Sequence, residues 1–148
     1  MQYTNSLACF INIGLAFLAL VLYIAGSYSL YKDKKGYILL LGLAIGIDIA
    51  TAILASFKIT PTTTIPGVDA IPWYSWLFRL HVTFSTIGFA GFIILFLYLV
   101  IRDSRKYSKW ILQWQFKLLL PIWLIGEGIA LSNALTKICF RLRLFELF

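Results

Sequence analysis

The fold class predicted by this sequence is an all-α integral membrane protein, a four-transmembrane-helix bundle. Of its 148 residues, 61% are hydrophobic and 13% are charged, about half the charged share of a globular domain. Mean hydropathy is +0.88, more apolar surface than so few polar groups could cover in water. The apolar residues also gather into stretches long enough to cross a bilayer, which takes roughly 20 residues at a helical rise of about 1.5 Å each.

Four stretches qualify, at about residues 6–28, 37–57, 76–101 and 117–137. Backbone groups in hydrocarbon must be satisfied within their own segment, so each reads as a helix. No stretch alternates with a period of two, which argues against a membrane barrel. The first segment has no Lys or Arg before it and is longer than a signal core, so it is expected to be retained. The whole of 1–148 reads as one domain, without repeats or low-complexity tracts.

The connections carry the charge. Lys32, Lys34 and Lys35 follow the first span, and Arg102, Arg105, Lys106, Lys109 and Lys117 lie between the third and fourth. Lys58, Arg79, Lys137, Arg141 and Arg143 fall on the opposite side. The excess of positive residues places the two basic loops inside and both termini outside, and a prokaryotic cytoplasmic membrane is the expected location. The net charge of +7 is then a topology signal and an attraction to membrane lipids rather than a sign of nucleic-acid binding. In the long loop "KITPTTTIPGVDAIPWYSW", three prolines oppose a regular helix. Its Trp73, Tyr74 and Trp76 read as an outer aromatic belt. "RDSRKYSKWILQWQFK" reads as an amphipathic approach to the last span, lying on the inner headgroups, with Pro121 near enough to kink the start of that span. Cys9 and Cys139 lack metal-site spacing.

Function is sought in the polar residues at membrane depth. Asp48 in "GIDIATAILA" and Glu127 in "LIGEGIALS" stand alone in apolar runs, eleven residues from Tyr37 and ten from Lys117, so both fall near the midplane. His81 and Ser85 share a face of the third span, and Asp48 and Thr51 share one of the second. Asn12 lies roughly level with His81, and the inner half of the bundle is expected to be almost wholly apolar. Asp48, Thr51, His81, Ser85, Glu127 and Asn12 therefore form the candidate intramembrane polar site. Two ionised acids at one depth would lose hydration and repel each other. At least one then carries a proton, or each has a cationic partner, for which His81 and Arg79 are the candidates. A proton relay, a polar ligand site and an interhelix hydrogen bond all fit this pattern. A haem between helices commonly takes two axial His, and the chain has one. No metal site, nucleophilic triad, phosphate loop or dinucleotide fingerprint is present in the sequence pattern. Gly42, Gly46 and Ala50 form a small-residue ridge, and Gly88 and Gly91 a second set suited to close helix approach.

The second half contains "RLHVTFSTIGFAGFIILFLYLVIR", then a short basic loop with a Trp, then "FKLLLPIWLIGEGIAL". Over roughly residues 77–135 this order resembles the YozB/CtaM-like small membrane proteins, implicated in haem–copper cytochrome oxidase assembly. The family has further histidines at its basic loop edges, where this chain has "YKDKKGY" and "RDSRKYSKW". Only His81 carries over. The resemblance implies a non-catalytic accessory or assembly subunit of a respiratory membrane complex, bound to other integral membrane subunits. One alternative is a haem- or quinone-binding redox subunit using His81. Another is a small proton-coupled carrier using Asp48 and Glu127.

Overall fold

The computed structural model describes residues 6–56, 75–101, 109–140 and 144. The helices are α1 (Ser6–Tyr31), α2 (Tyr37–Ser56), α3 (Trp76–Ile101), α4 (Lys109–Trp114) and α5 (Leu120–Phe140). A π-helical turn, Gln115–Leu119, joins α4 to α5. Four windows have the length and apolarity to span a membrane, from Phe10–Tyr31 to Gln115–Thr136. The chain is an all-α four-helix bundle of membrane-spanning character. The expected spans hold closely, and α1 runs three residues beyond position 28.

The turn between α1 and α2 explains that extension. Lys34 N–H donates to the Ser29 carbonyl at 2.8 Å and Asp33 N–H to that of Leu30 at 3.0 Å. Asp33 has φ +53° and Gly36 φ +95°. This is a Schellman closure with Asp at the left-handed position, where a short polar side chain is tolerated. The Gly36 backbone then starts α2 by accepting from Leu40 N–H. At the opposite end, Ser75 begins α3: its carbonyl accepts from Arg79 N–H, and its hydroxyl faces Phe78 N–H at 3.4 Å.

Pro121 lacks an N–H, and its ring opposes the carbonyl four residues earlier. The helix accommodates this with one widened turn, where Leu120 N–H reaches the Gln115 carbonyl five residues back. The expected disturbance near Pro121 is therefore a π turn immediately before it. The segment expected to rest on headgroups is partly inserted. Trp114 stays 47% exposed, whereas Gln115 is 2% exposed against α1.

The helices form a ring. α1 packs on α2, α2 on α3, α3 on α5, and α5 on α1, so α2 and α5 lie on one diagonal. Neighbours are antiparallel: Gly26 meets Leu41, Gly42 meets Phe96, and Gly88 meets Trp123. One end of the bundle, here the terminal end, carries the starts of α1 and α3. The other, the turn end, carries the 32–36 turn. The core centres on Tyr23, Phe92 and Trp123, with Leu30, Leu41, Leu99 and Leu120 toward the turn end. Many outward-facing side chains are large and apolar, among them Leu39, Ile53, Ile94 and Ile101, as expected of a surface solvated by lipid.

Candidate intramembrane acid–aromatic site

Asp48 and Glu127 come from diagonally opposed helices. Each is only part-exposed, and Glu127 acts electrostatically on both Asp48 and Tyr23. Among the groups acting on Asp48 are Glu127, Tyr23 and Trp123.

Tyr23 bonds one acid and is acted on by the other. Its hydroxyl donates to Asp48 Oδ2 at 3.2 Å. Its ring, 0% exposed, packs on Phe92 at 4.4 Å and Trp123 at 4.3 Å between centroids. Phe92 meets Trp123 edge-on, an arrangement that suits the ring quadrupoles. The Trp123 indole N–H lies close to the Asp48 carboxyl but closes no hydrogen bond, and it is buried. The centre thus joins two acids, a hydroxyl already donating and an indole donor still to be satisfied.

His81 and Ser85 form a second polar point on α3, against α5. His81 Nδ1 lies 2.9 Å from the Gly126 carbonyl oxygen and 3.2 Å from Ser85 Oγ. A carbonyl can only accept, so Nδ1 carries the proton, and in the neutral ring Nε2 is the basic nitrogen. Gly126 immediately precedes Glu127, so this point adjoins the acid centre along α5. Thr51 does not join it through its hydroxyl, which donates to the Asp48 backbone carbonyl at 2.8 Å. Asn12 stands apart toward the terminal end, and its Oδ1 is buried without a partner.

Close helix approach makes this geometry possible. A Cβ on Gly88 would lie 2.8 Å from the Trp123 Cα, and one on Gly126 would lie 2.5 Å from Ser85 N. Gly91 meets Leu119, and Gly42 lies against Phe96. The Gly42–Gly46–Ala50 ridge needs correction: Gly46 and Ala50 are exposed, and a Cβ on Gly46 would meet nothing within 4 Å. The spacing identifies a shared helix face, but that face turns outward beyond Gly42.

Four participants lie outside the candidates that the sequence offers: Tyr23, Trp123, Ser27 and Gln115. Gln115 Nε2 donates to Ser27 Oγ, and these side chains are 2% and 0% exposed. This pair corrects the expectation of an apolar inner half. The signal for Gln115 is a carboxamide within reach of Pro121. Tyr23 has no signal beyond its hydroxyl in an apolar helix.

Among the described residues, Cys139 is a free, exposed thiol. Trp76 is 55% exposed at the start of α3. Trp73, Tyr74, Lys58 and the basic run 102–108 lie outside the described residues. The chain matches no protein-family model, no curated protein and no solved structure.

Proposed function

We propose that this chain is a small proton-coupled membrane protein, with Asp48 and Glu127 as its proton-holding centre. One observation carries the reading. An acid on α2 and an acid on α5 act on each other and on Tyr23 in a ring-lined core, and Tyr23 donates a hydrogen bond to Asp48. Acids are costly to place in a medium of low dielectric, and a role in holding and passing protons would account for their presence there. Tyr23 then orients Asp48. A purely structural subunit has no need of this costly arrangement.

The test is proton flux in liposomes holding purified protein and a trapped pH-sensitive dye. Wild type is expected to dissipate an imposed pH gradient, alone or when a co-transported solute is supplied. Asp48→Asn and Glu127→Gln are expected to abolish that movement while keeping the helical circular-dichroism signal. Wild-type vesicles as tight as protein-free vesicles, across a panel of candidate solutes, would refute the reading.

A second reading, an accessory or assembly subunit of a respiratory membrane complex, is favoured by the outward Gly46–Ala50 face. Small residues on a lipid-facing surface suit close docking of another helix. Gentle purification from the native membrane, followed by mass spectrometry, is expected to return stoichiometric integral-membrane partners if this holds. An absorption spectrum of the same sample tests the haem alternative at His81.

A further inference from the structure

We infer that the turn end of the bundle carries a binding site for an anionic phospholipid. Lys32 and Lys34, gathered over the ring of Tyr28, take its phosphate, and the outward face of α1 takes an acyl chain. The site is built from residues apart from the acid pair and does not depend on the proton-holding reading.

The first observation is how the turn places the lysines. Lys32 N–H donates to the Tyr28 carbonyl at 3.0 Å and Lys34 N–H to that of Ser29 at 2.8 Å, with Asp33 left-handed between them at φ +53°. This closure folds the chain back over the last turn of α1. Two ammoniums then converge on one ring: Lys32 Nζ lies 6.0 Å and Lys34 Nζ 5.5 Å from the Tyr28 centroid. Lys32 Nζ is also 5.4 Å from the Tyr31 centroid. Tyr31 stacks on Phe116 at 5.0 Å, and Tyr28 lies 6.4 Å from the same ring, so α1 and the π turn hold the platform together. The ring faces attract the ammoniums, but the two positive charges repel each other, and an anion between them is attracted by both. A choline headgroup is repelled by the same two charges. Asp33 opposes Lys32, Lys34 and Lys35 in this turn, which leaves the turn with a positive excess.

The second is the level at which this platform stands. Tyr31 ends the apolar window Phe10–Tyr31, so the rings stand at the boundary of the hydrocarbon and the lysines lie just beyond it, at the depth of lipid phosphates. Deeper along α1, Ile24, Val21 and Phe17 follow Tyr28 at steps of four, three and four residues, and all four side chains are exposed. Such spacing makes one outward apolar stripe. From Tyr28 to Phe17 it runs roughly 16 Å, about the depth of the hydrocarbon in one leaflet. A paired positive charge above an apolar stripe of that length matches the two parts of a phospholipid. A free phosphate would engage the lysines alone.

Native mass spectrometry of the full chain in detergent tests this, with titration of phosphatidylglycerol and of phosphatidylcholine bearing the same acyl chains. Wild type is expected to hold phosphatidylglycerol about tenfold more tightly, because each base at headgroup level adds to the binding of anionic lipid. Lys32→Gln combined with Lys34→Gln is expected to abolish that preference while the helical circular-dichroism signal is kept, since both side chains are exposed. Lys32→Arg combined with Lys34→Arg should retain it. Asp33→Asn, which suits the same left-handed backbone, should raise it. The control is Arg79→Gln, an exposed base at the terminal end, which should leave it unchanged. Equal affinity of wild type for the two lipids overturns the site, as does a preference that survives the double glutamine variant. Excess glycerol 3-phosphate, which has no acyl chains, is expected to leave phosphatidylglycerol bound. If it displaces the lipid, the phosphate alone is recognised and the assignment to a phospholipid falls.

Discussion

The two halves of the bundle differ in what their interiors are made of. The turn half interlocks large side chains. Tyr23, Phe92 and Trp123 pack ring to ring, Leu30, Leu41 and Leu99 are at most 2% exposed, and Tyr31 stacks on Phe116 at 5.0 Å. Lys32 sits 5.4 Å from the Tyr31 ring centroid at the same end, where cation and ring reinforce each other at the membrane surface. Among the described residues, the terminal half brings small and polar groups inward, Gly126, Ser85, His81, Asn12 and Asn133, beside half-buried Phe78 and Phe84. In lipid, apolar side chains gain little from leaving the solvent, so close packing carries the cohesion. The turn half holds the bundle together, and the acids lie where that packing ends. Residues for ligand or proton exchange are expected in such a less tightly packed region.

Breaking the α3–α5 contact should have the largest effect. Gly88→Leu forces a side chain into Trp123, where even a Cβ would lie 2.8 Å from backbone. Overpacking of this kind costs about 3 kcal/mol and parts the rings that close the core. The expected result is loss of the folded bundle at distinctly lower SDS in a detergent titration. Next is Ser27→Ala, which strands the Gln115 amide donor beside a carbonyl oxygen already without a partner. A buried polar group left unpaired costs about 2 kcal/mol. Gln115→Leu should cost less, because it removes both unsatisfied ends at once and the Ser27 hydroxyl can turn to its own helix. Midpoints equal to wild type for both variants would show that the pair adds nothing to the turn half.

These two sites also show how much of the bundle is legible in the sequence. Gly88 and Gly91 announce packing by their spacing, and the structure packs both. Asp48 and Glu127 announce themselves as lone acids, and counting residues from the span ends puts them at one depth. The His81–Ser85 pair follows from helical period alone. The inward faces are harder to read, because each spanning helix is apolar all round and no polar stripe marks the outside. Tyr23 therefore reads as one more aromatic residue. Gln115 reads as part of a headgroup-lying segment, because nothing local reveals that a π turn before Pro121 carries it inward. The small-residue ridge fails for the same reason: period fixes which residues share a face, not where the face points.

Tyr23→Phe asks how far the turn half supports the acids. It keeps the rings and deletes one hydroxyl, the donor to Asp48 at 3.2 Å. The expected loss is about 1 kcal/mol of stability, with helical content unchanged. If Tyr23 orients Asp48 for proton exchange, flux should fall much more than stability. Flux that stays at the wild-type rate would reduce Tyr23 to a packing residue.

The smallest effect on the isolated bundle is expected from Gly46→Leu. Gly46 is exposed and a Cβ there would meet nothing within 4 Å, so the detergent midpoint should move by no more than about 0.5 kcal/mol. That neutrality makes the substitution informative. Gly42 lies one turn away and packs on Phe96, so Gly42→Leu perturbs the bundle itself, whereas Gly46→Leu alters only the surface offered to lipid or to another helix. If the purified native protein loses an integral-membrane partner on Gly46→Leu while keeping its fold, the outward face is a docking surface and the accessory-subunit reading gains the contact it needs. If the partners and the fold are both unchanged, Gly46 simply faces lipid, and the case for function returns to the two acids across the bundle.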